Sequence, residues 1–223
     1  MNDGVRLIEV KEDILADNTL MAKNLNAELT GTKTFLMNLM ASPGAGKTTT
    51  ILATLERITK DLKVGVMEAD IDSKVDAEKI AAAGTEAIQI RTGGFCHMDA
   101  TMVRTGLEAM DYKRFDLVIL ENVGNLVCPA EFETGAHMNA MILSVPEGDD
   151  KPLKYPLMFA VCQVLLVNKT DFLELTDFNM DVFKQRVLAI NPEMKIFEIS
   201  SRTGKGVDEW AEWLTAKVKS VIG

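Results

Sequence analysis

From Phe35 onward the chain alternates short apolar runs with amphipathic or polar stretches: FLMNLM, VGVMEA, AIQI, LVIL, AMILSV, VLLV and KIFEI, each followed by a candidate helix or loop. That rhythm predicts an α/β fold, a doubly wound and mainly parallel sheet with helices on both faces. Upstream, residues 13–30 bring Ile14, Met21, Leu25 and Leu29 to near-helical spacing. The spacing predicts an amphipathic helix that covers one sheet face, or alternatively one that binds a partner or a second copy. No repeat, low-complexity tract or long Gly/Ser/Pro linker intervenes, so residues 1–223 are expected to form a single domain, with residues 1–33 a helical extension packed on it. Residues 146–156 (PEGDDKPLKYP) read as the most loop-like stretch.

Composition narrows the class. With 223 residues, 47% of them hydrophobic and 26% charged, one substantial core can form without disulfides or metals to hold it. The apolar runs are too short for a bilayer span, and MNDGVRLIEV lacks a basic-then-apolar leader pattern, so a soluble, cytoplasmic protein with no membrane contact is expected. A net charge of −9 without any basic run argues against nucleic acid as a partner. Three cysteines, Cys96, Cys128 and Cys162, are too few and too odd in number for a disulfide framework, which leaves packing or metal binding.

An anionic ligand must therefore be held by a local device, and one follows the first run. Ala41-Ser42-Pro43-Gly44-Ala45-Gly46-Lys47-Thr48 precedes a helical pattern, giving a strand, a phosphate-binding loop (P-loop) and a helix. Glycines let successive backbone N–H groups turn around phosphate oxygens, a lysine meets the β/γ charge, and a hydroxyl serves Mg²⁺. Pro43, Gly44, Ala45, Gly46, Lys47, Thr48 and Thr49 are the expected nucleotide contacts, with Lys47 catalytic and Thr48 on Mg²⁺. Ala41 departs from the glycine of the strict pattern, at a position expected to end the strand.

After VLLV come Asn168, Lys169, Thr170 and Asp171, an N-K-x-D arrangement. An aspartate there can accept from both N1 and N2 of guanine, a donor pair adenine lacks, so GTP or GDP is the expected nucleotide. Ser200, Ser201 and Arg202 follow KIFEI and suit a base-contacting loop. The run ending in Glu121 and then Gly124 supplies a carboxylate for the Mg²⁺ shell and a glycine N–H to sense a γ-phosphate. Asp70, Asp72 and Asp76 cluster after VGVMEA, where any of them could position Mg²⁺ or the attacking water, or could simply cap the following helix.

A second candidate chemistry lies in two other loops. Cys96 and His97 follow a Gly-rich turn after AIQI, and Cys128 follows the run carrying Glu121. Loops leaving the carboxyl ends of strands can converge, and two thiolates with an imidazole suit Ni²⁺ or Zn²⁺ while leaving a position open. Buried core thiols are the alternative, and Cys162, inside an apolar run, is read that way. His137 is expected in a helical stretch as a core or solvated histidine. Because Cys128 lies a few residues beyond Gly124, nucleotide state and metal affinity are expected to be linked.

The blocks ASPGAGKTTT, EADIDSKVDAEKI, RTGGFCHMDATMV, ILENVGNLVCPAEF, SVPEGDDKPLKYP, VNKTD and ISSRTGKGVDEW closely resemble the HypB family, GTPases that insert nickel into NiFe hydrogenases. The resemblance implies a GTP-dependent homodimer that delivers nickel to the hydrogenase large-subunit precursor, alongside a small HypA-type nickel-binding accessory protein. It implies the metal role for Cys96, His97 and Cys128, and it favours Asp70 and Asp76 over Asp72 as acids of the magnesium and catalytic set with Glu121. Some members carry an N-terminal Cys-rich nickel motif or a histidine-rich stretch, and this sequence has neither. Lys151 and Lys154 fit either a nucleotide reached across a dimer or solvated loop charges. With no arginine finger or catalytic glutamine in view, slow intrinsic GTP hydrolysis is expected. The rival readings are a nucleotide-gated metal-binding scaffold and a sister GTPase maturing another nickel enzyme.

Overall fold

The computed structural model describes residues 10–70 and 75–223. Its strands are β1 (Phe35–Ala41), β2 (Val64–Asp70), β3 (Glu86–Arg91), β4 (Leu117–Glu121), β5 (Met138–Ser144), β6 (Val164–Asn168) and β7 (Lys195–Glu198). All pair in parallel, in the order β3-β2-β4-β1-β5-β6-β7, so the predicted doubly wound sheet is the one observed. Parallel pairs need long crossovers, and helices fill them. They are α1 (Val10–Gly31), α2 (Lys47–Ile58), α3 (Val75–Ala82), α4 (Ala100–Ala109), α5 (Cys128–Glu131), α6 (Lys151–Lys154), α7 (Pro156–Val161), α8 (Met180–Ile190) and α9 (Val207–Ile222).

Side chains alternate across β1, which is why one continuous apolar run serves two cores. Phe35, Met37 and Leu39 pack with Ile51 of α2 and Trp210 and Leu214 of α9. Leu36, on the opposite face, joins Leu25 and Leu29 of α1 and Val103 and Leu107 of α4. The sheet is thereby sandwiched, and the carboxyl ends of β1, β2, β3, β4, β6 and β7 are left to emit the loops that matter below.

Three sequence expectations change. In α1 the buried stripe runs through Asn18, Ala22, Leu25 and Leu29, while Met21 is 39% exposed. A hydrophobic-spacing argument passes over Asn18, which is buried because its amide donates to the Glu133 carbonyl (2.9 Å) and accepts from the Ala100 N–H (2.9 Å); the side chain of Ile14 lies outside the described residues. His137 is not helical but sits directly before β5. Its ring stacks on Phe35, Nδ1 accepts the Leu36 N–H (3.1 Å), and Nε2–H donates to the Thr30 hydroxyl (3.0 Å), which itself donates to the Asn26 carbonyl (2.9 Å). Burial lowers its pKa, so the neutral ring acts as an extra rung of the ladder. Residues 146–156 are no loop: a 3-10 turn (Val145–Glu147), α6 and α7 succeed one another there. Pro146, Pro152 and Pro156 each lie in a first turn, where the missing N–H costs nothing. Among the described residues no helix is long and apolar enough to cross a membrane.

Candidate functional site

β1 ends at Ala41 and α2 begins at Lys47, so residues 42–46 form a tight turn at the centre of the sheet. Gly46 holds φ at 100°, and a Cβ there would come within 2.6 Å of the Asn168 amide, so both its conformation and its surroundings require glycine. The loop is braced from β6 and beyond. Asn168 Nδ2 donates to the Ala45 carbonyl (3.0 Å) and Lys169 Nζ to the Gly44 carbonyl (2.7 Å). Behind the loop, Glu147 accepts from Ser144 through its N–H (2.7 Å) and hydroxyl (2.8 Å), and also from the Ser42 hydroxyl.

A cavity of about 320 Å³ opens beside this turn, lined by Gly46, Thr49, Asn168, Lys169, Asp171, Phe172, Ser200, Ser201 and Arg202. Its polar groups are tied to one another. Asn168 Oδ1 accepts both the N–H and the hydroxyl of Ser201 (3.1 Å each), and the Ser200 hydroxyl donates to Asp171 Oδ1 (2.7 Å). The residues named from sequence for the base and for the phosphates therefore meet in one cleft.

The acidic side of the cleft differs from expectation. Parallel pairing of β2 with β4 sets Glu68 directly beside Glu121, both almost fully buried. With Asp76 of α3, their oxygen atoms lie within 4.8 Å of one another. Thr48 Oγ1 donates to Glu121 Oε1 (3.2 Å), while Oε2 of Glu121 and Oε2 of Glu68 are buried without a hydrogen-bond partner. Burial pushes Glu121 to about 8 and Glu68 to about 7, so the pair resists holding two negative charges unaided. Hard oxygen donors with orphaned, desolvated lone pairs fit a small divalent cation such as Mg²⁺. Asp70, expected in this set, stands outside that group at the end of β2, and Asp72 lies outside the described residues. Glu68 was missed; its signal was an acid inside the apolar run VGVMEA. Gly124 abuts the P-loop, since a Cβ on it would sit 3.2 Å from the Pro43 nitrogen and 3.3 Å from Lys47 Nζ.

The loops after β3 and β4 converge as well. Cys96, His97 and Cys128, all half-buried, bring their ligand atoms within 4.8 Å of one another. The Cys96 thiol is pushed above its usual range, first by its hydrogen bond with Cys128 and then by burial. Burial lowers the pKa of His97, whose ring stacks on Phe132 at 3.8 Å, which favours the neutral imidazole that ligates metals. Cys162 is fully buried against Met158 and burial pushes its thiol far up, so it belongs to the core. On α6, Lys154 pairs with Asp150 and Lys151 lies over the Tyr155 ring.

Residues 35–198 match the family model described as CobW/HypB/UreG, nucleotide-binding domain. The hydrogenase maturation factor HypB of Escherichia coli K12 is 41% identical over 209 residues, 94% of this chain and 72% of that protein. The hydrogenase/urease maturation factor HypB of Helicobacter pylori J99 is 37% identical over 216 residues, 94% of this chain and 88% of that protein. The crystal structure of HypB from Helicobacter pylori in complex with nickel superposes with a TM-score of 0.87 at 35% identity, covering 92% of this chain and 96% of that one.

Proposed function

Since this chain belongs to the CobW/HypB/UreG family, and within it to the HypB maturation factors, we propose that it is a GTP-hydrolysing switch that inserts nickel into the large-subunit precursor of a NiFe hydrogenase. It acts in the cytoplasm as a single domain, dimerises when loaded with GTP, and works with a HypA-type nickel-binding accessory protein. One observation carries the reading: the segment from Glu121 to Cys128 holds a carboxylate of the acidic cluster, the glycine against Lys47, and a thiol of the Cys/His group. Whatever moves that segment at the phosphates moves a candidate nickel ligand.

Asp171 accepts the guanine donors, with Ser200 fixing its carboxylate, while Asn168 and Lys169 hold the loop that carries the phosphates. Lys47 neutralises charge developing on the γ-phosphoryl group. Thr48, Glu121, Asp76 and Glu68 would hold Mg²⁺, which when bound draws charge off the β- and γ-phosphates. Asp70, further out along β2, orders the attacking water. Turnover is slow, below about one per second. Cys96, His97 and Cys128 take Ni²⁺ or Zn²⁺ and leave a position through which the ion is passed on.

The test is nickel and zinc titration of GDP-bound and GTP-analogue-bound protein, beside Cys128→Ala, with oligomeric state recorded in the same samples. Affinity that shifts with nucleotide and is lost in the variant is expected. Affinity indifferent to both would leave a GTPase with ordinary core thiols.

A further inference from the structure

Three asparagines interrupt otherwise apolar surroundings, and the function proposed above uses none of them. Asn38 lies in β1, Asn122 directly follows β4, and Asn139 lies in β5; Asn38 and Asn122 are almost wholly buried. They form one chain across the sheet. Asn122 Nδ2 donates to Asn38 Oδ1 (3.0 Å), Asn38 Nδ2 to Asn139 Oδ1 (3.0 Å), and Asn139 Nδ2 to the Val161 carbonyl (3.3 Å). At the other end, Asn122 Oδ1 accepts two backbone N–H groups, from Val123 (2.9 Å) and Met98 (3.3 Å).

Both ends fix the direction. Backbone N–H groups only donate and the Val161 carbonyl only accepts, so no amide in the chain can turn over without losing its bonds. The cost of leaving a buried amide unpaired holds the arrangement in place. Asn122 is also pinned through its backbone, its N–H donating to the Leu39 carbonyl at 3.0 Å. Its side-chain oxygen therefore stands still between two loops. Val123 adjoins Gly124, which abuts Lys47, and Met98 adjoins His97.

Building on the switch reading of the site, we propose that Asn122 is a positioning residue that couples the two loops, its one carbonyl oxygen binding the phosphate-side backbone at Val123 and the metal-side backbone at Met98. The two donors compete for one acceptor oxygen, held from the far side of the amide by Asn38, so a bond that weakens on one side strengthens on the other. When a γ-phosphate engages Gly124, the Val123 bond changes, and the Met98 bond, with the Cys96-His97 pair behind it, readjusts. Coupling between the sites needs no movement of the sheet.

The experiment measures nickel affinity by competition with a chromophoric chelator, for wild type, Asn122→Ala and Asn38→Leu, each loaded with GDP or a non-hydrolysable GTP analogue, with thermal melting as the fold control. Wild type should differ between nucleotide states by about fivefold or more. In both variants that ratio should collapse to within about twofold of unity, while nickel binding to the GDP form stays within about threefold of wild type. A folded Asn122→Ala protein that keeps the wild-type ratio overturns the inference. Hydrogen exchange at the Met98 amide of wild type supplies a second readout that needs no variant and no metal: its rate should change with the GTP analogue, and an unchanged rate also overturns the inference. No nucleotide dependence of nickel affinity in wild type would instead defeat the switch reading itself.

Discussion

At the β5-β6-β7 side of the cleft, Asn168, Asp171, Ser200 and Ser201 bond to one another and to the P-loop; at the β3-β2-β4 side, Glu68 and Glu121 each keep a buried oxygen with no partner. The first arrangement is closed on itself, which under the proposed function lets it read a base without rearranging. The second is incomplete and carries a desolvation cost that a cation relieves. A switch needs both: a fixed reader, and a neighbouring region whose stability depends on what is bound.

The comparison is broken most severely at the reader. Asp171→Asn replaces an acceptor by a donor facing guanine, and GTP affinity should fall by at least about 100-fold while xanthosine triphosphate, with a carbonyl at position 2, gains. Calorimetric titration that found GTP affinity intact would show that Asp171 does not read the base. Next in size, Cys128→Ala should weaken nickel binding at least about tenfold and leave GTP affinity within about twofold, because the reader lies across the sheet.

The acidic side predicts a pH effect of definite sign. Glu121 at about 8 and Glu68 at about 7 stand above the ordinary 4.5, so the folded protein keeps protons that the unfolded chain releases. Their contribution to stability is full below about pH 4.5 and declines as pH rises through 7 to 8. In chelator, Glu121→Gln should therefore melt about 3–6 °C higher than wild type near pH 8.5 and no higher near pH 4.5. Equal destabilisation at both values would mean that the carboxylate is held in place by partners after all. The smallest effect lies outside the cleft, where Thr30→Val takes the acceptor from His137 Nε2–H and should cost about 1 kcal/mol, or about 2–4 °C in melting temperature.

The sheet was legible because its signal is local: each strand spans four to seven residues around a short apolar stretch with its own breaks. The same holds for the phosphate turn, whose residues are consecutive. What stayed hidden depends on register. Nothing in VGVMEA says that Glu68 will face Glu121, which is a matter of β2 lying beside β4, so the more conspicuous Asp70 at the strand end drew attention instead. The asparagine chain is invisible for the same reason, each member's side-chain partners lying on neighbouring elements of the sheet. In 146–156 prolines read as breakers, yet each occupies a first helical turn. In α1, Asn18 and Ala22 complete a stripe that a count of large apolar residues assigns to Met21.

Glu147 gathers three donors, two from Ser144 and one from Ser42, and so fastens the first residue of the phosphate turn to the segment that runs on to Lys151 and Lys154. In mechanical terms that segment is a handle. A load applied to the two lysines reaches the P-loop through the Glu147 carboxylate, beside the strand end that carries Asn168.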